Sequence, residues 1–285
     1  MKNILEIRGL SKEYKDFKLD NIDLVLPRGY IMGFIGPNGA GKTTTIKLIM
    51  NLIKRNSGEI NIFGLDNLEH EKEIKEKIGF VYDECYYYQK LSIEEMAKII
   101  SKFYKNWDWT EFNNYIEKFN LNRKKLIKDL SKGMKTKFSL AIALSHKAEL
   151  IIMDEPTSGL DPVFRSEILD ILYELIQDEN KGILFSTHIT SDLEKISDYI
   201  TFINNGKIQF STSKDDLLES YYLIKGPKEV LTSDLRESLI NLRENSFGFE
   251  ALAKDLKKIN CCKKDLIIER PSIEDIMVNL VKGDK

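Results

Sequence analysis

The stretch Gly36-Pro37-Asn38-Gly39-Ala40-Gly41-Lys42-Thr43 constrains this chain more than any other. It has the spacing G-x-x-x-x-G-K-[ST], in the context that gives the spacing meaning. The apolar run Tyr30-Ile31-Met32-Gly33-Phe34-Ile35 precedes it and reads as a buried strand. Thr43 to Ile53 follows, with Ile46, Ile49, Met50 and Ile53 at helical spacing. The glycines let the backbone wrap closely around a polyphosphate. Consecutive N–H groups and the helix N-terminus then supply fixed positive dipoles. In such a cradle Lys42 reaches the outer phosphates, and the Thr43 hydroxyl, with Thr44 beside it, faces a Mg²⁺ ion.

The rest of the composition limits the setting. With 285 residues there is room for one large domain and a small one. A net charge of −2, from 43 basic and 45 acidic side chains, argues against bulk attraction to nucleic acid. No apolar stretch approaches the roughly 20 residues of a membrane helix. The N-terminus lacks the apolar core of a signal peptide. Cys85, Cys261 and Cys262 form no disulfide framework and no zinc spacing. A cytoplasmic protein is expected.

Strands and helices alternate along most of the chain. Ile4–Gly9 and Ile22–Leu26 read as antiparallel strands joined near Lys15-Asp16, and Gly58–Gly64 as a short strand between glycines. Residues from about Ser92 to Leu144 read as mostly helical, with Ile93, Met96, Ile99, Ile100 and Phe103 on one stripe. Leu150–Met153 and Gly182–Ser186 read as buried strands around a helix from about Val163 to Gln177. A short helix at Asp192–Ile196 and a hairpin through Asn204-Asn205-Gly206 complete the pattern. The order implies an α/β fold with a parallel core sheet. After about Ser213 the motifs stop. Strands at Tyr221–Gly226 and Leu266–Glu269 and a terminal helix capped by Ser272, with Asp275 three residues on, suggest a small α+β appendage.

Asp154 ends the buried strand Leu150–Met153, and Glu155 comes next. Ligands of open α/β sheets sit at the carboxyl ends of the strands, which puts Asp154 beside the phosphate loop as a Mg²⁺ partner. Glu155 then stands where a carboxylate orients and deprotonates an attacking water.

Five motifs now stand in order: the phosphate loop, Leu130-Ser131-Lys132-Gly133-Met134, Ile151-Ile152-Met153-Asp154-Glu155-Pro156, Ser158-Gly159-Leu160-Asp161 and Ser186-Thr187-His188. Residues 1 to about 213 closely resemble the nucleotide-binding subunit of ABC transporters. The resemblance implies a P-loop NTPase of ABC type. It would have a mixed sheet core with an antiparallel β subdomain and a helical subdomain at about 84–147, with 214–285 as an accessory domain. It also implies ATP and Mg²⁺ as cofactors. His188 resembles the histidine that contacts the γ-phosphate and the catalytic water. Tyr14 resembles the aromatic residue that stacks on adenine, with Phe17 as the rival. The guanine-reading sequence N-K-x-D is missing, which favours adenine.

Ser131 reads as the N-cap of a helix whose start, with Gly133 allowing close approach, is an anion site. In the family this second helix start closes on the phosphate held by another subunit, so the resemblance implies a head-to-tail pair of this chain or of this chain with a paralogue. Asp161 resembles the residue linking the two sites, and also suits an N-cap before Pro162. The signature departs from the usual Leu-Ser-Gly-Gly-Gln. Lys132 is either a cation near the phosphate or a solvated helix-start lysine. Asp83 stands where the family has a metal-touching glutamine, and it or Glu84 can supply an oxygen. The aromatic run Tyr86-Tyr87-Tyr88, with Trp107 and Trp109, is either an anchor for the membrane partner's short helix or ordinary packing.

Two functional classes follow. The first is the motor subunit of an exporter-type transporter, similar to the branch associated with acetoin utilisation and peptide-antibiotic resistance. It would be peripheral on the inner face of the membrane through a separate polytopic permease. The second is a soluble ABC ATPase acting on ribosomes or DNA. The single ATPase unit, the lack of sustained heptads and the balanced charge favour the first.

Overall fold

The computed structural model describes residues 3–82, 86–254 and 265–283. It divides into two compact units, Met1–Ser211 and Thr212–Lys285.

The first unit is built on two sheets. β1 (Asn3–Glu13), β2 (Lys18–Pro27), β4 (Ser57–Ile62) and β5 (Leu65–Asp66) form an antiparallel sheet in the order β2-β1-β4-β5. A larger sheet runs β10-β9-β3-β8-β7-β6, from β3 (Ile31–Ile35), β6 (Ile78–Val81), β7 (Leu150–Asp154), β8 (Gly182–Thr187), β9 (Tyr199–Asn204) and β10 (Lys207–Ser213). The pairs β3–β8, β3–β9, β6–β7 and β7–β8 are parallel. Every residue of β3, β7 and β8 is buried, as expected of parallel strands covered on both faces. Asn205 and Gly206 both have positive φ, 47° and 73°, which suits the tight β9–β10 turn. One apolar core, including Ile4, Leu26, Met32, Phe34, Ile46, Ile60, Ile152 and Leu184, joins the two sheets.

Helices α1 (Lys42–Ile49), α2 (Glu71–Lys75), α3 (Ile93–Ile100), α4 (Trp109–Lys118), α5 (Lys132–Ser145), α6 (Pro162–Leu175) and α7 (Thr190–Ile196) complete this unit. Four begin on side-chain caps, that of α6 being Asp161. Ser92 and Glu95 form a capping box at α3, Asp108 accepts from the N–H groups of Thr110 and Glu111 at α4, and Ser131 accepts from Met134 at α5. Two expectations need correction. The first helix ends at Ile49 rather than Ile53, because Asn51 takes the left-handed φ of 51° that closes it. Phe103 is 75% exposed rather than on the buried stripe. There α3 gives way to a 3₁₀ turn, Ser101–Phe103, whose tighter winding rotates that side chain away from Ile93 and Met96.

The second unit has its own core of Ile224, Leu231, Leu235, Phe249, Ala253 and Leu266. It contains α8 (Lys214–Ser220), β11 (Tyr222–Gly226), α9 (Ser233–Ser238), β12 (Leu239–Asn245), β13 (Gly248–Ala253), β14 (Ile267–Glu269) and α10 (Ile273–Gly283). Its strands form a sheet in the order β12-β13-β11-β14. Ser272 caps α10, accepting from the Asp275 N–H at 3.1 Å and donating to its carboxylate at 2.7 Å.

Candidate functional site

Three adjacent strands, β3, β8 and β7, deliver the candidate residues at the carboxyl end of the sheet. The parallel register pairs Ile35 with Thr187 and Asp154 with Ser186. Gly36, His188 and Glu155 therefore leave the sheet at nearly the same level. The segments that follow them border an open cleft of about 720 Å³ lined by Asp16, Phe17, Pro37, Asn38, Gly39, Gly41, Lys42, Thr43, Thr44, Glu155, Ser158 and His188.

The loop after β3 needs its glycines for two different reasons. A Cβ on Gly36 would stand 2.2 Å from the Ile203 carbonyl oxygen, so the backbone approach permits no side chain. Gly41 has φ 116°, a region closed to other residues, and it turns the chain into α1. Ala40 is buried behind the loop, and its carbonyl accepts from the Gly206 N–H at 3.0 Å.

Lys42 folds back over this loop. Its Nζ donates to the Gly36 carbonyl at 2.8 Å and lies 3.3 Å from Glu155 Oε1. The other Glu155 oxygen is 2.8 Å from His188 Nδ1. An ionised carboxylate only accepts, so Nδ1 carries the hydrogen in this arrangement. One carboxylate is thus held between an ammonium and an imidazole, with 14% of its side chain exposed.

The backbone beneath Glu155 is unusual. Its φ of 50° is left-handed, which costs a residue with a side chain about 1–3 kcal/mol and persists only where the surroundings enforce it. Ser186 does part of this. Glu155 N–H donates to the Ser186 carbonyl at 3.2 Å and to its Oγ at 3.0 Å, and that Oγ donates to Asp154 Oδ1 at 2.6 Å. Ser186 was visible in its motif, but nothing in a linear sequence shows that one hydroxyl serves both acidic residues.

The residues present fit a nucleotide with its metal. A buried ammonium facing carbonyl oxygens in a glycine cradle suits phosphate, and the Thr43 hydroxyl and Asp154 carboxylate are hard oxygen donors of the kind Mg²⁺ takes. The remaining site candidates lie elsewhere. Tyr14 is 45% exposed with Lys12 Nζ 5.3 Å from its ring centre, and it does not line the cleft, whereas Phe17 does. Ser131, Lys132, Gly133 and Asp161 do not line it either. Asp161 caps α6 by accepting from Val163 and Phe164 at 3.0 and 3.2 Å. Gly133 lies so close to Phe164 that an added Cβ would sit 2.9 Å from its ring. Asp83 and Glu84 lie outside the described residues.

A second cleft of about 600 Å³ is lined by Phe80, Tyr82, Tyr86, Tyr87, Ile100, Tyr104, Lys132, Lys135, Thr136, Ser139, Ile142, Ala143 and His146. Tyr82 packs edge-on against Phe80 and Tyr86, at 3.9 and 5.0 Å between ring centres. Tyr104 stacks on His146 at 3.8 Å. Trp107 and Trp109 instead pack on each other and on Phe112.

Known proteins similar to this chain share one family. The family model described as "ABC transporter" matches residues 19–158. The bacitracin transport ATP-binding protein BcrA of Bacillus licheniformis is 38% identical over 215 residues, covering 73% of this chain and 69% of that protein. The chain belongs to the ABC transporter ATP-binding family. An uncharacterized ABC transporter ATP-binding protein of Bacillus subtilis (strain 168), YcbN, is 28% identical across 100% of this chain and 99% of its own length. This relative therefore spans the second unit as well as the ABC unit. A solved ATP-binding subunit of an ABC transporter matches with TM-score 0.69 at 29% identity, over 76% of this chain and 92% of that one. The fold is the α/β P-loop fold of ABC ATPases, with its mixed sheets and helices.

Proposed function

We propose that this chain is the ATP-hydrolysing motor subunit of a membrane transporter. Residues 1–213 act as the ABC-type ATPase, with the helical subdomain at about 84–147, and residues 214–285 form an accessory domain. The observation that carries the reading is the convergence of Lys42, Glu155 and His188 at one open cleft beside the glycine loop. In this reading the loop Gly36–Thr44 binds the triphosphate of ATP, Lys42 turns from Glu155 to the outer phosphates, and Phe17 or Tyr14 meets the adenine. Glu155, freed of the lysine, orients and deprotonates the attacking water, while His188 holds the carboxylate and the water in line. Thr43, Asp154 and Asp83 would hold Mg²⁺, which neutralises charge on the transferred phosphoryl group.

Each cleft is open on the side facing solvent. A second copy of the chain, or a paralogous ATPase, closes it by presenting Ser131, Lys132 and Gly133 at the start of α5, with Asp161 connecting the two sites. The aromatic cleft supports a separate polytopic permease as the second partner: Tyr86, 72% exposed on its wall, offers a large amphipathic anchor. Among the described residues no helix is long and apolar enough to cross a membrane, so a permease would hold the motor at the inner face. The similarity to BcrA makes a peptide antibiotic the first cargo to test. Nucleic acid has no place in this reading.

The test is Glu155→Gln. It is expected to keep ATP affinity within about threefold and to lower turnover by at least about a hundredfold, the scale of losing a general base. Unchanged hydrolysis would remove Glu155 from the chemistry. Copurification of the full chain with a polytopic membrane protein checks the transport half of the reading.

A further inference from the structure

Asp192 is fully buried on α7 and does not line the phosphate cleft. Its Oδ2 accepts from Thr157 Oγ1 at 2.6 Å, and its Oδ1 accepts from Arg165 Nε at 2.6 Å. Arg165 also donates from Nη2 to Ser191 Oγ at 2.5 Å. Thr157 is 1% exposed, so this hydroxyl–carboxylate bond is screened from water. A buried carboxylate using both oxygens holds its partners in fixed positions, because releasing either would leave charge unpaired.

What Asp192 joins is informative. Thr157 lies in the loop that leaves Glu155, where Ser158 N–H donates back to the Glu155 carbonyl at 3.2 Å. Arg165 is on the first turn of α6, and its N–H donates to the Asp161 carbonyl at 2.9 Å. Asp192 itself lies in the first turn of α7, just after His188, its N–H donating to the Ile189 carbonyl at 3.2 Å. One side chain therefore fastens the segment carrying Glu155 to the segment carrying His188. Ser186 fixes the left-handed Glu155 from the strand side, and Thr157 fixes it from the loop side.

We propose that Asp192, with Thr157 and Arg165, is a positioning unit that sets the Glu155–His188 geometry for hydrolysis without touching the nucleotide. The inference rests on the reading of Glu155 and His188 given above. Its first consequence is a split between rate and binding. Thr157→Val keeps shape and loses the hydroxyl, so kcat should fall at least tenfold while ATP affinity stays within twofold. Thr157→Ser should restore the rate. Asp192→Asn, which breaks the ion pair with Arg165, should fall in the same direction.

The decisive experiment is a double-mutant cycle on the full chain, reading kcat and ATP affinity, with Glu155→Gln as control. If Thr157 acts through the catalytic pair, its removal in a His188→Ala background costs less than threefold. Additive losses, or parallel losses of rate, affinity and melting temperature, would reduce the unit to ordinary scaffolding and overturn the proposal. A kcat for Thr157→Val within twofold of the parent would also overturn it. If Glu155→Gln keeps its turnover, the underlying reading fails instead, and the two failures are distinguishable.

Discussion

The phosphate cleft and the aromatic cleft have similar volumes, about 720 and 600 Å³, but opposite construction. The first is built largely from consecutive backbone, with glycines at 39 and 41 and three polar side chains meeting above it. The second is built from side chains drawn from β6, α3, α5 and the segments around them, and its rings meet edge-on or stacked. A cleft that recognises phosphate needs a fixed field of dipoles, which a short continuous motif supplies. A cleft that would grip a partner needs area, which distant residues can supply together. This difference also decides which cleft a sequence reveals.

Lys42→Ala should separate the two clefts most strongly. Removing the ammonium that sits on the Gly36 carbonyl is expected to weaken ATP binding by more than about a thousandfold, read by titration calorimetry, on the scale of several charge-assisted bonds. The aromatic cleft shares no lining residue with that site, so fluorescence of Tyr82, Tyr86 and Tyr87 should be unmoved. Tight nucleotide binding by this variant would refute the phosphate assignment.

A second test addresses the aromatic wall. Burial lowers the His146 pKa from the usual 6.5 to about 4, so the ring stacked on Tyr104 is neutral in the folded chain. Between those two values the unfolded chain takes up a proton that the folded chain excludes. Folding stability contributed here is therefore fully present above pH 6.5 and falls as pH drops towards 4. The loss is about 3 kcal/mol in all, from 1.36 kcal/mol per unit. Denaturant unfolding at pH 7 and pH 4.5 should show His146→Phe losing less stability on acidification than the parent. An equal loss in both would place the acid sensitivity elsewhere.

The smallest effect belongs to Tyr87→Phe, which removes a 3.0 Å bond to Ser139 Oγ and leaves the ring against Phe138. It should lower stability by about 1 kcal/mol and leave ATPase activity unchanged. A changed turnover rate would show that the two clefts communicate through this wall.

Much of the phosphate cleft was legible in the chain because its determinants are local. Gly36 to Thr43 are contiguous, and β3, β7 and β8 are so fully buried that their apolar runs stand out. What was not legible depends on distance in sequence. Ser186 bonding to both Asp154 and Glu155, and Asp192 bonding to Thr157 and Arg165, are pairings between strands and loops that no periodicity encodes. Phe17, rather than Tyr14, on the cleft wall depends on how the β1–β2 turn bends. In the second unit β12 shows little contrast because none of its residues is fully buried, Asn241 interrupts it with a left-handed φ of 52°, and β13 is short, with no β-branched residue to mark it as a strand. Cys85, Cys261 and Cys262 lie outside the described residues, as do Asp83 and Glu84.

We propose that the Lys42–Glu155–His188 cleft is half of a shared site, completed by the α5 start of a second protomer. Light scattering on Glu155→Gln, with and without ATP and Mg²⁺, tests it most directly. ATP is expected to double the mass of the 33.0 kDa chain with one nucleotide retained per protomer, and Ser131→Arg to prevent the doubling. A parent protein that hydrolyses ATP at full rate as a monomer, with no mass change in the Glu155→Gln variant, would contradict it.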